Sequence, residues 1–580
     1  MGVITRKRLW GSLSLGIALS LALAGCGNNN NSSNNSSKSN TAANQGTTDQ
    51  AAGTANTDSG SNATASDDLK PITISAFIGS PNQQPTADNR IYKKMQDELG
   101  VKLNMEFLVG DLQQKLGVMI AGGEYPDLIT ADPKLVTAKA VVPLEDLIDK
   151  YGPHLKEHYA NYWNQMKDSS DGHIYWLPNY GAYTGDFLAT NYSGPAFWIQ
   201  KDVLKDAGFP TPKTLDDYFK LISDYAAKHP KTVDGQPTIG FTTLAYDWRT
   251  FPLTNAPEHL SGHANDGGVV VDNGVASVFA TQDIAKTYYK KLNDIYNQGL
   301  MDKEAFVQNY DQYIAKVSTG RVLGMFDQHW NFQDGENELI SQNKIGETYV
   351  GFPLTYDGVT DHYLDRPVLN LNNGFGISKD AKDPVRIIKF LDALMTEDWQ
   401  KTLSWGEKGV DYEVDANGKF TRTQKERDEQ NDPTWKLANK ADAFYGYAPK
   451  MEGTFTDGNA TSAGTQPDEF YASLKPQDKE ILDAYKHKTW TEFFTPAPEN
   501  PVAYPAWNID LIDGSDASVA NKQMTDATLK YLPQAIMAKT EKFDTVWDQY
   551  VNAYKKINVK AYEDRINSQI QWRTQNWSSN

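Results

Sequence analysis

The order of hydrophobic periodicities after residue 70 is the feature that most restricts the fold of this chain. Stretches in which polar and apolar residues alternate, typical of strands, are separated by stretches with apolar residues at helical spacing. Because strands and helices take turns along the chain, the pattern predicts an α/β fold with a mostly parallel sheet covered by helices. The strands are predicted over 71–78, 101–108 and 126–129, and the helices over 90–99 and 111–120.

The same pattern continues further along the chain. Thr214 can cap a helix, with Asp217 three residues later, and Asp383 followed by Pro384 starts another. Near the C-terminus, aromatic and aliphatic side chains recur at helical spacing, which is more typical of a core than of a binding site. This stripe consists of Phe543, Val546, Trp547, Tyr550, Tyr554 and Ile557.

The N-terminal residues have the order of a secretory signal. Arg6, Lys7 and Arg8 precede an apolar stretch over residues 9–24, which is shorter than the roughly 20 residues of a membrane span. The stretch ends Leu-Ala-Gly-Cys, which resembles a bacterial lipobox. This resemblance implies that residues 1–25 are a signal peptide and that Cys26 is lipidated. The alternative is an uncleaved anchor with an incidental cysteine.

Residues 26–69 are rich in Asn, Ser, Thr, Gly and Ala and have no apolar periodicity. Such a segment cannot bury enough apolar surface to offset its ordering entropy, so we predict a disordered tether between a lipid and a folded body. No later segment has 18 consecutive apolar residues, and we expect the rest of the chain to be soluble.

Charge and cysteine content exclude several classes of function. The net charge is −18, which opposes binding to phosphate backbones, so we expect no nucleic-acid partner. Cys26 is the only cysteine, so the chain can form neither an internal disulfide nor a cysteine-based metal cluster. We predict no cofactor.

Several short segments occur in the order seen in one family of receptors. The chain resembles the extracellular solute-binding lipoproteins of ABC importers, and more narrowly the oligosaccharide-binding group that includes alginate- and maltodextrin-binding proteins. The matching segments are Met-Ile-Ala-Gly-Gly-Glu-Tyr-Pro-Asp-Leu at 119–128, Asp-Gly-His-Ile-Tyr-Trp-Leu-Pro at 171–178, 198–215 from Trp-Ile-Gln-Lys-Asp to Pro-Lys-Thr-Leu, Gly-Arg-Val-Leu-Gly-Met at 320–325 with Trp330, Trp-Gly-Glu-Lys-Gly-Val-Asp-Tyr at 405–412, and the terminal helix at 543–562.

The resemblance implies a periplasmic-binding-protein-like fold, with two discontinuous α/β lobes around a ligand cleft. We expect chain crossings near 188–191, near 371–375 and after about residue 430. The expected N-terminal lobe comprises 70–188 and 372–430, and the expected C-terminal lobe comprises 189–371 and 431–580.

A sugar site needs aromatic platforms for C–H faces and polar groups for hydroxyls. The sequence has 14 Trp and 30 Tyr, and each Trp could alternatively be packed in the interior. Arg249 would suit an acidic sugar, although one arginine does not establish an acidic ligand. The candidate ligand-binding residues are Trp330, Trp248, Arg249, Trp405, Glu407, Asn372, Asn373, Asp327, Tyr180 and Asn179.

Two other motifs have simpler explanations. His154-Leu-Lys-Glu-His158 matches a zinc-peptidase pattern, but Pro153 starts a helix that we expect at the surface, and we predict no metal site. Residues 413–418 resemble the start of a calcium loop, and an Asn-Gly hairpin accounts for them.

The expected function is that of a lipid-anchored, monomeric receptor on the outer face of a bacterial cell membrane. It would capture an oligosaccharide and deliver it to the permease subunits of an ABC transporter, without covalent chemistry. The alternatives are a sugar-sensing co-receptor of a membrane kinase and a surface glycoside hydrolase or metallopeptidase.

Overall fold

The computed structural model describes residues 70–168, 171–498, 502 and 504–577. The predictions for the signal peptide, the tether and Cys26 fall outside these residues. The strands are β1 Ile72–Ile78, β2 Val101–Phe107, β3 Leu128–Thr130, β4 Leu177–Pro178, β5 Tyr183–Thr184, β6 Pro195–Gln200, β7 Ile239–Thr242, β8 Val269–Asp272, β9 Val275–Val278, β10 Val322–Gln328, β11 Tyr349–Phe352, β12 Gly374–Ile377, β13 Glu413–Val414, β14 Phe420–Thr421 and β15 Glu452–Gly453.

The α-helices cover both lobes. They are α1 Arg90–Leu99, α2 Leu112–Gly122, α3 Pro133–Thr137, α4 Glu145–Tyr151, α5 Pro153–His158, α6 Lys201–Asp206, α7 Leu215–Lys228, α8 Phe251–Thr254, α9 Ala256–Leu260, α10 Asp283–Asn297, α11 Tyr310–Ser318, α12 His329–Ser341, α13 Pro384–Leu394, α14 Glu397–Ser404, α15 Gln424–Asn431, α16 Pro433–Asn439, α17 Asp442–Tyr445, α18 Pro467–Ser473, α19 Pro476–Tyr485, α20 Asp516–Met537, α21 Phe543–Tyr554 and α22 Val559–Trp577. No helix among the described residues is both long enough and apolar enough to span a bilayer.

The N-terminal lobe is built on a sheet with the order β2-β1-β3-β12-β4. Strands β1, β2 and β3 are parallel, with Ile72 opposite Val101, and this confirms the predicted β-α-β-α-β unit. Strand β12 runs antiparallel to β3 and β4, so the sheet is less uniformly parallel than predicted. Strand β12 is the first strand that the chain forms in this sheet after it has returned from the other lobe.

The C-terminal lobe has a second sheet, ordered β11-β6-β10-β7, in which β6 is antiparallel to both of its neighbours. Helices α20, α21 and α22 from the end of the chain share one hydrophobic core with this sheet and its helices. Four residues of the predicted C-terminal stripe are buried in that core, which confirms their structural role: Phe543, Trp547, Tyr550 and Tyr554.

Local helix predictions are confirmed where a cap defines the end. Thr214 accepts a hydrogen bond from Asp217 N, and the Asp217 carboxylate accepts one in return, so α7 begins with a full capping box. Asp383 caps α13 directly before Pro384. Gly100 ends α1 in the left-handed conformation, with a φ of 64°.

The chain crosses between the lobes three times. The first crossing spans 185–191, between Ala182 in the N-terminal core and Tyr192 in the C-terminal core. The second spans 365–368, slightly before the predicted position, because Leu369 already packs in the N-terminal core.

The third crossing lies later than predicted, at 474–475 rather than after 430. Ala441 and Phe444 pack in the N-terminal core, and the Asn89 amide donates to the carbonyl oxygens of Leu437 and Lys440, each over 2.9 Å. Helix α18 is held to the same lobe by the Arg427–Glu469 ion pair. The N-terminal lobe therefore comprises 70–184 and 369–473, and the C-terminal lobe comprises 192–364 and 476–577.

Candidate functional site

Two neighbouring cavities, each of about 550 Å³, form the candidate site. The first lies wholly within the C-terminal lobe and is called the C-lobe cavity. The second, the interlobe cavity, has walls from both lobes and from the first two crossings. The two cavities share four lining residues, Asn265, Gln328, Trp330 and Trp507, and therefore meet along one wall.

An aromatic cluster forms part of that wall. The indole rings of Trp248 and Trp330 are stacked, with centroids 6.0 Å apart and planes within 9°. The Phe251 ring lies 5.3 Å from Trp330. Trp248 is 57% exposed and Trp330 is 43% exposed, so both keep apolar surface open to the cavity. Flat apolar surface of this kind is what the C–H face of a planar or ring-shaped molecule packs against.

Trp330 is positioned by the junction between β10 and α12. Its indole Nε1 donates to Gln328 Oε1 over 2.7 Å. The side chain of Asp327, at the end of β10, is fully buried and accepts hydrogen bonds from Tyr313 OH (2.5 Å), Asn331 Nδ2 (3.0 Å) and Gln328 N (2.7 Å). These contacts correct the prediction that Asp327 faces a ligand: its carboxyl group fixes the start of the helix that carries Trp330.

Asp327 makes stability depend on pH. Burial raises the pKa of the Asp327 carboxyl from 3.8 to about 7. Between these two pH values the carboxyl is protonated in the folded protein but ionised in the unfolded chain. The free energy of unfolding is therefore expected to fall as pH rises from about 4 to about 7. Asp327→Asn should remove this part of the fall, as measured by urea unfolding at pH about 5 and about 8. The exposed Asp513→Asn is the control, and an unchanged pH dependence in Asp327→Asn would contradict the assignment.

Arg249 follows Trp248 in the chain but is not among the lining residues. Its guanidinium carbon lies 4.4 Å from the centroid of the Trp248 ring and 4.1 Å from that of Tyr310. Tyr310 in turn donates to the Asn331 carbonyl oxygen over 2.8 Å. The cation is thus stacked between two rings, where it supports the aromatic cluster from behind.

The shared wall also contains Trp507, which is 43% exposed and was not predicted from the sequence. It lies in an irregular segment held by Arg573 of α22. The Arg573 guanidinium donates to the carbonyl oxygens of Pro505 (3.1 Å), Trp507 (2.5 Å) and Asn508 (3.2 Å). Three contacts from one buried side chain fix the backbone around Trp507.

The interlobe cavity adds polar groups from the N-terminal lobe. Tyr180, a predicted residue, lines it and is 42% exposed. Asn370 also lines it, and its backbone N donates to the Tyr180 carbonyl oxygen over 2.9 Å. Glu452 accepts from Gly181 N over 2.6 Å, and burial raises the pKa of the Glu452 carboxyl. The lining residues of this cavity with charged side chains are Glu452 and Asp365.

Trp405 and Glu407 lie away from both cavities. Trp405 is fully buried against Tyr412 and Phe420, and its Nε1 donates to the Ala460 carbonyl oxygen. Glu407 pairs with Arg90 over 2.5 Å. The structure therefore corrects both predictions, because one side chain has no open face and the other holds a neighbouring helix.

Three predicted asparagines are also outside the lining. Asn179 is buried and donates to the Gly446 carbonyl oxygen. Asn372 is exposed, and the Asn373 side chain accepts from the backbone of Gly374. An asparagine directly after the second crossing does line the interlobe cavity, but it is Asn370, because the chain reaches the N-terminal lobe earlier than predicted.

The two motifs with possible metal ligands have other contacts. His154 pairs with Asp392 over 2.8 Å, whereas His158 is half-buried and desolvation lowers its pKa to about 4. Residues 413–421 form the β13–β14 hairpin, in which Asp415 Oδ1 accepts from Asn417 N and Lys419 N. Among the described residues, no group of three or more His, Cys, Asp or Glu side chains is arranged to hold a metal ion.

The sequence matches the model of a known protein family. The model for bacterial extracellular solute-binding proteins matches residues 90–408, more than half of the chain. The fructooligosaccharide ABC transporter substrate-binding protein FusA of Streptococcus pneumoniae is 24% identical over 85% of this chain and 88% of its own. The polygalacturonan/rhamnogalacturonan-binding protein YtcQ of Bacillus subtilis is 22% identical over 60% of this chain and 69% of its own.

A solved structure has the same fold. FusA of S. pneumoniae in complex with kestose superposes with a TM-score of 0.58 and 20% sequence identity, covering 87% of this chain and all of that one. The predicted two-lobed α/β architecture is confirmed by this likeness and by the two sheets with their separate cores. The chain belongs to the family of bacterial extracellular solute-binding proteins.

Proposed function

We propose that this protein is the substrate-binding component of an ABC importer and that its substrate is an oligosaccharide. The observation that carries the proposal is the wall shared by the two cavities, where exposed faces of Trp330 and Trp507 stand beside the amides of Asn265 and Gln328. Trp248 extends this aromatic surface into the C-lobe cavity, whose lining also includes hydroxyl groups. Pyranose and furanose rings offer both an apolar C–H face and a rim of hydroxyls, and this wall matches both. The relatives whose names state a ligand bind glycans, which supports the same conclusion.

The size of the site favours a chain of sugars over a single one. The two cavities are each within the usual range for small-molecule pockets, about 300–1,000 Å³, and they lie next to each other, since they share four lining residues. One sugar unit would occupy only one of the two cavities, and the other would remain filled with water. An oligosaccharide can place units in the C-lobe cavity and in the interlobe cavity together.

Binding would act through the relative positions of the lobes. A ligand in the interlobe cavity touches Tyr180 and Asn370 on one side and Trp330 and Trp507 on the other. Such a ligand binds more tightly when the lobes are close, so it shifts the population toward the closed form that a permease would recognise. No step of this mechanism breaks a covalent bond.

The test is a thermal-shift panel on the purified protein. Fructo-, galacto-, xylo- and malto-oligosaccharides, including kestose, are compared with oligogalacturonates, monosaccharides and short peptides. A ligand present at 100 times its Kd adds about 2.7 kcal/mol to the free energy of unfolding and should raise Tm clearly. The glycans should be recovered intact by chromatography. A shift with peptides alone, or hydrolysis of the glycans, would contradict the proposal.

We also propose that Cys26 anchors the mature protein to the outer face of the cell membrane through lipid. The order of basic residues, apolar stretch and Leu-Ala-Gly-Cys supports this anchor. Cys26→Ser is expected to move most of the protein from the membrane fraction to the medium or the signal-bearing precursor pool. Oligosaccharide affinity should stay the same, because the described cavities begin more than 100 residues later. Continued membrane retention of a processed Cys26→Ser protein would contradict the anchor.

Arg573 is expected to affect affinity without touching the sugar. Arg573→Lys cannot reach all three carbonyl oxygens around Trp507, and hydrogen bonds from charged groups contribute about 1.5–3 kcal/mol each. Part of that loss should appear in binding as an increase in Kd of about tenfold, measured by calorimetry with the panel ligand. Arg565→Lys is the matched control, because Arg565 of the same helix holds the Asp510 carbonyl oxygen, outside the cavities. Equal effects of the two variants would contradict a positioning role for Arg573.

A further inference from the structure

We infer that the site accepts uncharged oligosaccharides and rejects those that carry uronic acids. This inference rests on the proposed function and narrows its substrate class. Family membership does not decide the question, because the relatives include one named for fructooligosaccharides and one named for an acidic polygalacturonan. The decision comes from the charges that line the two cavities.

Every described residue that lines the C-lobe cavity has an uncharged side chain. Its polar groups are amides and hydroxyls, which can donate and accept and therefore suit sugar hydroxyls without favouring either sign of charge. A carboxylate placed there would lose its hydration without gaining a cation, which is strongly unfavourable. These polar lining residues are Thr250, Thr254, Asn255, Asn265, Gln328, Asn521, Thr525, Thr528, Tyr289, Tyr550, Tyr554 and Tyr562.

The interlobe cavity carries the wrong charge for a uronate. Among the described residues that line it, the two with charged side chains are Asp365 and Glu452, and both are acidic. Asp365 Oδ2 lies 3.3 Å from His362 Nε2, and His362 is not among the lining residues. Glu452 accepts a hydrogen bond from Gly181 N, which carries no charge. An ionised ligand carboxylate beside them would be repelled, and the net charge of −18 adds to this repulsion at longer range.

The cations close to the cavities stand outside their lining. Arg249 is stacked between Trp248 and Tyr310, and Arg573 donates to three backbone carbonyl oxygens. Lys450 lies 6.0 Å from the Tyr180 ring, on the chain two residues before Glu452. Arg366 stands in the chain between the lining residues Asp365 and Pro367. None of these four side chains lines either cavity, whereas recognition of a carboxylate normally uses a direct, often bidentate, contact with arginine.

The test compares ligands that differ only in charge. The neutral oligosaccharide that gives the largest shift in the panel is oxidised at one primary hydroxyl to a carboxylate, and the product is also prepared as its methyl ester. By calorimetry the carboxylate should bind at least about tenfold more weakly than the neutral parent, and the ester should recover most of the loss. Oligogalacturonates should produce no shift in Tm at concentrations where the neutral ligand does.

A paired variant tests the source of the discrimination. Asp365→Asn together with Glu452→Gln removes the two negative charges while keeping side-chain size, so the ratio of Kd values for carboxylate and ester should fall several-fold. Asp564→Asn, on the surface of α22, should leave the ratio unchanged.

Two results overturn the inference in different ways. If a uronate binds as tightly as its neutral counterpart, the site takes acidic glycans: the inference is wrong, and the proposed function stands. If no glycan in the panel binds, neutral or acidic, the proposed function itself fails and the inference fails with it.

Discussion

Trp330→Ala is expected to weaken oligosaccharide binding by about 30-fold or more, equivalent to about 2 kcal/mol. The indole of Trp330 lines both cavities and stacks on Trp248. Its loss therefore removes aromatic surface from the wall that the two cavities share. Aromatic residues at the centre of a contact surface commonly contribute this much when they are truncated. Isothermal titration calorimetry with the best ligand of the panel measures the effect directly.

The chain offers a closely matched control for this experiment. Trp572 on α22 is 42% exposed, against 43% for Trp330, but it lines neither cavity. Trp572→Ala should leave Kd within about twofold, and both variants should unfold at similar urea concentrations. A Trp330→Ala protein that binds as tightly as the parent would show that the sugar does not pack on this wall.

Trp405→Ala is expected to have the opposite effect: a large loss of stability and little change in binding. The Trp405 side chain is fully buried among Tyr412, Phe420 and Phe455, with its Nε1 bonded to the Ala460 carbonyl oxygen over 2.9 Å. Truncating a buried tryptophan leaves a cavity and typically costs about 3–5 kcal/mol. Urea unfolding should show a lower free energy of unfolding, and the transition of the N-terminal lobe should come first.

The remaining folded protein should still bind its ligand. Calorimetry at low temperature on the Trp405→Ala protein is expected to give a Kd close to that of the parent, because the small core around Trp405 does not contribute to the cavities. Trp405→Phe fills part of the space and should lose less stability. A selective loss of affinity with normal stability would restore Trp405 as a ligand contact.

Trp330 and Trp405 show why the sequence could not say which tryptophan lines a cavity. Both were proposed as ligand contacts on similar grounds, as aromatic residues beside short regular elements. Only tertiary packing separates them: the β10–α12 junction presents Trp330 to the cavities, while the β13–β14 hairpin closes over Trp405. No local pattern carries that information, because the residues that bury Trp405 include Phe455, fifty positions away.

Local features can be predicted from the sequence because they depend on residues that are close together in the chain. The start of α7 depends on Thr214 and Asp217, which are three residues apart, and the first strands and helices follow from short periodicities. The third crossing was misplaced because residues near 440 are held by Asn89, about 350 positions earlier. Trp507 was missed although it lies in a non-helical, proline-containing segment, the same kind of setting that pointed to Trp248.

The closing helix α22 has a consequence for biosynthesis. It carries Arg573, which fixes the Trp507 wall, and Tyr562, which lines the C-lobe cavity. Because a ribosome delivers the chain from its N-terminus, the core of the C-terminal lobe stays incomplete until α22 has been synthesised. A chain that stops before α22 would therefore expose that core to proteases and would lack the Arg573 contacts that hold the segment around Trp507.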